Sequence, residues 1–165
     1  MNQGGGGVIW TKGATAILGG SFSNNSASEG GVVFAGEAGM VTLTDGVFVG
    51  NEGLDGGVVF VAEDAALVVE GGVYKENLAD NGGGVFHVQA DGHIDITGGT
   101  FASNEADFGG FLYKEGAGNA TCTGAATSVT GHRGVDGGAI YAVKGARLEW
   151  ECDLVENRAL AGPAM

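Results

Sequence analysis

The chain has 165 residues, enough for one domain with a real core, and its formal charge of −13 comes from 20 acidic against 7 basic residues. That balance repels phosphate backbones and anionic membranes, which argues against nucleic acid as a partner, and no apolar run reaches the roughly 18 residues of a membrane helix, which argues against direct insertion. Thirty-five glycines against one proline rule out collagen, and an apolar fraction of 44% argues against disorder.

In chain order, the first unit opens on Gly6-Gly7, runs into the β-rich "VIW", reaches a second apolar stretch ending at Ile17, and then meets Phe22 and Asn25. The same series returns with the pairs Gly30-Gly31, Gly56-Gly57, Gly83-Gly84, Gly109-Gly110 and Gly137-Gly138, at steps of 24, 26, 27, 26 and 28 residues. Phe22, Phe48, Tyr74, Phe101, Val129 and Leu154 each stand eight residues before a glycine (Gly30, Gly56, Gly82, Gly109, Gly137 and Gly162). Three residues after each comes Asn25, Asn51, Asn77, Asn104, His132 and Asn157. Repeats of this length mean a solenoid.

The kind of solenoid follows from the pattern inside a unit. "VVF", "VFH", "FLY" and "AIY" follow the glycine pairs, and about ten residues on come "MVTLT", "ALVVE" and "HIDIT", whose apolar residues alternate as in a half-buried strand. The third stretch is short and carries the aromatic. Three brief strands in about 26 residues, with no helical period, predict an all-β fold: a parallel β-helix of about six coils, roughly 29 Å long from strand spacing, forming one domain over residues 1–165.

Like residues of successive coils then stack. The expected inward columns are Ile9, Val33, Val59, Phe86, Leu112 and Ile140 in the first sheet and Ile17, Leu43, Val69 and Ile96 in the second, with Val41, Leu67 and Ile94 sharing the latter face. Phe22, Phe48, Tyr74 and Phe101 fill the third corner. Asn25, Asn51, Asn77, Asn104 and Asn157 form a structural ladder, turning the chain in left-handed or bridge conformations and bonding to the coils above and below. The residues between these positions are read as fillers facing water.

The chain resembles the polymorphic outer-membrane protein repeat, marked by GGA(I/L/V) and FxxN and widespread among pectin-lyase-like β-helices. FxxN is literal in "FSNN", "FVGN" and "FASN", conservative in "YKEN" and lost in "VTGH", while the glycine motif is literal only in "GGAI" at 137–140. The resemblance implies right-handed coiling and a surface-exposed adhesive role. The start "MNQGGGGVIW" lacks the basic and apolar regions of a signal peptide, and neither it nor the closing "ALAGPAM" offers a cap for the stacked strands. The expectation is therefore a fragment of a longer array, or end-to-end stacking on a partner.

Three groups of residues carry candidate chemistry. Trp10, Phe34, Phe60, His87, Tyr113 and Tyr141 sit four places after the first glycine of each pair and face outward by strand alternation. They are candidates to stack on a glycan or a protein surface; the alternative is a ladder that stiffens the sheet. Glu37, Glu63, Asp91 and Glu115 follow the pairs at a turn, and Glu29, Asp55 and Asp136 precede theirs. Stacked carboxylates invite a divalent cation such as calcium, but the GGxGxD motif is missing, so no cofactor is assigned. For catalysis, His87, Lys114 and Glu115, with Lys144 nearby, are the candidates to abstract a proton beside a uronate carboxylate. Arg133, Arg147 and Arg158 are scattered.

His132 reads as a turn residue in place of a ladder asparagine. Cys122 and Cys152 fall on adjacent coils, which brings them toward bonding distance, but at places that differ by about two, which points their side chains to different spots; the spacing leaves a disulfide open. Sequons begin at Asn24 and Asn119 and have meaning only in a eukaryotic secretory route. The function expected is a non-enzymatic, extracellular or cell-surface module for adhesion or recognition, with a pectin-lyase-like polysaccharide lyase or glycoside hydrolase as the alternative.

Overall fold

The computed structural model describes residues 5–124, 127–143 and 145–160, all as strands, turns and connecting segments. Lys144, Gly162 and most of "ALAGPAM" lie outside the described residues. The strands form parallel sheets, each of six strands contributed by six successive coils. The molecule is an all-β parallel solenoid with the predicted coil length.

Each coil has four strands, where the sequence pattern predicts three. In the second coil they are Val33–Ala35, Met40–Leu43, Val47–Val49 and Glu52–Asp55. The fourth element recurs as Ser26–Glu29, Leu78–Gly82, Glu105–Phe108 and Arg133–Asp136. It escapes an alternation test because its buried positions hold Gly53, Ala79, Ala106 and Gly134, residues too small to register as an apolar period. These residues are a column of close approach, and only their neighbours face water.

The predicted inward columns form the core. Val33, Val59, Phe86 and Leu112 are fully buried, as are Leu43, Val69 and Ile96, while Ile9 and Ile140 pack on the core from the first and last coils. A further column, Val32, Val58, Val85, Phe111 and Ala139, is buried beside them at the bend after each glycine pair. At the third corner Phe22, Phe48, Tyr74 and Phe101 stack with centroids 4.9, 4.7 and 4.7 Å apart, the rise of one coil.

The glycine pair is explained at Gly83-Gly84. Gly83 has φ +72°, and a Cβ there would lie 2.0 Å from the Phe86 carbonyl oxygen; a Cβ on Gly84 would lie 2.3 Å from the Gly110 oxygen of the next coil. Both clashes are with backbone, so neither position accepts a side chain. This coil also carries a bulge, since the register of Leu78–Gly82 shifts between Ala79 and Gly82 against both neighbouring strands. The bulge corrects the eight-residue ruler. Gly82 pairs with Asp55 and Phe108, and Gly83 is the equivalent of Gly56 and Gly109.

The asparagine ladder is continuous. Asn51 donates from its backbone N–H and from Nδ2 to Asn77 Oδ1 (2.9 and 3.0 Å), and Asn77 does the same to Asn104 Oδ1 (2.9 and 2.9 Å). Asn25 begins the series on Asn51 Oδ1. The left-handed turn belongs to the preceding residue instead, at Asn24, Gly50, Glu76, Ser103, Gly131 and Glu156, with φ between +54° and +67°. His132 continues the ladder as a substitute amide. Its Nδ1 accepts from the Asn104 N–H (3.2 Å), its Nε2 meets the Phe101 carbonyl (3.1 Å), and its own N–H donates to Asn157 Oδ1 (2.9 Å).

Cys122 and Cys152 are bonded, which decides the pairing that their spacing left open. Cys122 pairs in register with Trp150, and Cys152 lies two residues on, past the end of Arg147–Trp150, where the coil bends. That bend brings the Cα atoms to 5.7 Å, within bonding range, so a linear offset did not translate into a spatial one.

Candidate functional site

The outward column of the first sheet is a stack of rings. Trp10, Phe34, Phe60, His87, Tyr113 and Tyr141 follow one another in register, with centroids 6.1, 5.4, 4.9, 4.5 and 5.6 Å apart. The first three planes lie within 3° of parallel. Ring faces are therefore turned toward one another along the solenoid axis, and ring edges are turned outward. An aromatic edge is the positive part of its quadrupole and suits oxygen atoms or aliphatic stems rather than a flat ring laid upon it.

The ends of the fourth-sheet strands lie alongside this stack. Phe108 meets Tyr141 at 5.0 Å, His87 Nδ1 lies 3.2 Å from Asp55 Oδ1, and a Cβ on Gly82 would strike the Tyr113 ring at 2.8 Å. The two columns enclose a corner, which explains why Phe60 and His87 are only 4% and 7% exposed although they point away from the core. Trp10, at the first coil, is 56% exposed. Toward that end the corner opens into a shallow concavity of about 330 Å³, with the Phe34 and Phe60 rings as one wall and Glu29, Glu37, Glu63 and Gln89 among its other lining groups. Gly36 and Ala62 also line it. Lys12 reaches over this region, its Nζ 3.8 Å from Glu37 Oε2 and 5.9 Å from the Trp10 ring centroid.

Asp55 and His87 meet beside the bulge. Their contact is close enough for charge to act, without the alignment of a hydrogen bond. Burial pushes the Asp55 carboxyl up, but His87, the Asn81 amide and the Gly82 N–H outweigh it and hold the group below its ordinary value. Burial also raises the Tyr113 hydroxyl, helped by Glu115, Tyr141 and Asp55.

The structure does not bring the three catalytic candidates together. His87 pairs in register with Tyr113 on the outward column, whereas Lys114 pairs with Val88 on the inward one and is fully buried. The Lys114 ammonium donates to the Ala90 carbonyl (2.7 Å) and to the Glu115 carbonyl, so it ties down a turn. Its pKa is lowered by burial, with Asp91 and Glu115 opposing. Its neighbours in the column, Ala35, Val61 and Val88, are small and apolar, and nothing in that series signals that a charged residue continues it inward.

Glu37, Glu63 and Asp91 are exposed at the turn, and Glu115 is half-buried. Among the described residues no three His, Cys, Asp or Glu side chains are grouped to hold a metal ion. Asn24 and Asn119, the sequon asparagines, are both exposed. The fold class is thus a parallel β-solenoid with a ring-lined, acid-flanked outer corner. No family model matches the chain, and neither curated proteins nor solved structures match it.

Proposed function

We propose that this chain is a non-enzymatic recognition module that works outside the cell or at its surface, binding protein or glycan along the outer corner. The observation that carries this reading is the open end of the ring stack, where the edges of Trp10 and Phe34 lie beside Glu29, Glu37 and Glu63, held by a backbone that repeats coil after coil. A rigid, repeating edge suits an extended ligand, because little ordering entropy is lost on the protein side. The Cys122–Cys152 bond supports an oxidising compartment. The FxxN corners agree with the adhesive repeat that the sequence resembles, and with it right-handed coiling. The test is retention of immobilised protein on a panel of glycans and cell-surface proteins, with Phe34→Ala as comparison. Specific retention that drops at least about fivefold in the variant is expected; uniform failure to retain anything would sink the reading.

The Asp55–His87 pair beside a bulge favours a second reading, a pectin-lyase-like enzyme. Against it, Lys114 is turned inward and the corner's carboxylates repel a uronate. Unsaturated product released from pectate or alginate, and lost in His87→Ala, would establish it.

A further inference from the structure

We infer that the occupant of the outer corner is a basic peptide segment, its lysine or arginine heads seated on Glu29, Glu37 and Glu63 and an aliphatic stem laid on the ring edge of Phe34, which is half-buried and lines the concavity. This rests on the recognition reading and names the partner's chemistry. Charge complementarity is the first reason: the concavity is lined by three carboxylates against one ammonium, on a chain of net charge −13. The second is the floor. Gly36 stands beside Phe34, where a Cβ would lie 3.3 Å from the ring, so the absence of a side chain there leaves the space in which a stem can lie against Phe34. The third is Lys12 itself. The chain's own lysine already adopts the arrangement proposed, with its stem packed over Gly36, where a Cβ would lie 3.0 Å from Lys12 Cγ, and its head at Glu37. Its side chain is a built-in competitor for the first seat.

The competitor gives a sign that a neutral glycan would not. A fluorescein-labelled hexalysine peptide is titrated by anisotropy at 20 and 300 mM salt, beside labelled neutral and uronate hexasaccharides. Lys12→Ala is expected to tighten hexalysine binding about threefold to fivefold by freeing Glu37, and the triple variant Glu29→Gln, Glu37→Gln, Glu63→Gln to weaken it at least tenfold. A control triple on the outer face of the fourth sheet, Glu52→Gln, Glu105→Gln, Asp107→Asn, removes the same charge and is expected to change affinity less than twofold once salt reaches 300 mM. Far-ultraviolet circular dichroism confirms that each variant keeps the β-solenoid. Equal losses in the two triples would show attraction to net charge alone and overturn the inference, as would weaker binding in Lys12→Ala. Binding of a hexasaccharide but not of the peptide would overturn it too, while leaving the recognition reading intact; binding of neither, together with failure of the retention panel, removes both.

Discussion

His132 supplies a quantitative test of the ladder. Its imidazole is fully buried, accepts at Nδ1 from the Asn104 N–H and meets the Phe101 carbonyl at Nε2, so the folded state needs a neutral ring with its proton on Nε2. A second proton on Nδ1 would oppose two N–H donors, the Asn104 backbone and its Nδ2, with a third. Burial accordingly pushes the pKa down from 6.5 to about 4, against the smaller opposing pull of nearby backbone groups. The unfolded chain titrates near 6.5, so between pH 6.5 and 4 it binds a proton that the folded chain refuses. This contribution is fully present above pH 6.5 and falls as the pH drops, by about 3 kcal/mol at pH 4. His132→Asn restores the amide and removes the titration. Urea denaturation of both proteins from pH 7.5 to 4 cancels the shared carboxylate terms, and the difference between the two curves is expected to open by about 3 kcal/mol toward low pH. Direct NMR titration of the ring should show it neutral down to about pH 4. Parallel stability curves, or a ring titrating near 6.5 in the folded protein, would show that the ladder does not hold the imidazole neutral.

The other predictions bear on the same architecture. Asn77→Ala leaves the Asn51 N–H and Nδ2 and the Phe48 carbonyl without their buried partner, and is expected to lower stability by at least about 3 kcal/mol in urea denaturation. Cys122→Ser with Cys152→Ser releases a crosslink across 30 residues and should cost about 3 to 4 kcal/mol. Hydrogen exchange should show that loss in the coil containing Arg147–Trp150, with the central coils unchanged. Lys114→Ala leaves the Ala90 carbonyl unpaired and a void behind, a loss of about 2 to 4 kcal/mol by thermal or urea unfolding, without effect on ligand retention because the side chain points inward. Gly84→Ala, whose Cβ meets backbone oxygens of the next coil, should prevent accumulation of folded protein, read as loss of the β signal in circular dichroism.

The solenoid was legible because its signals are ladders, in which one residue type repeats where geometry leaves no alternative. Glycine pairs mark backbone contacts between coils, and asparagines mark a corner whose N–H groups have no strand partner. Apolar periodicity found the columns of Val33 and Leu43 for the same reason. The fourth strand was illegible because glycine and alanine fill its inner column and carry too little apolar weight to set a period. Local exceptions were illegible as well. The extra residue of the bulge between Ala79 and Gly82 leaves the ruler looking intact at Gly82, and a bend carries Cys152 to Cys122 although their aligned places differ. Strand alternation gave the outward direction of Trp10 and Phe34, but only the relation between coils shows that the rings stack face to face and turn their edges outward.

The missed strand and the candidate site are one feature. Small residues such as Gly53, Ala79 and Ala106 let the fourth strand approach the interior closely, and its end then lies against the outward column of the first sheet. With bulky inward residues there, the strand would stand farther out, and Asp55 and Phe108 would not reach His87 and Tyr141. A column that contributes little to the apolar core therefore governs the acid-lined corner on the outside. Replacing Ala106, which is buried, by leucine tests this coupling. Overpacking of this kind typically costs 1 to 3 kcal/mol. If the coupling holds, the variant should also expose Tyr113 and Tyr141, seen as increased tyrosine quenching by acrylamide at a pH where the solenoid remains folded. A variant that loses stability while its tyrosines stay shielded would separate the corner from the strand that is argued to build it.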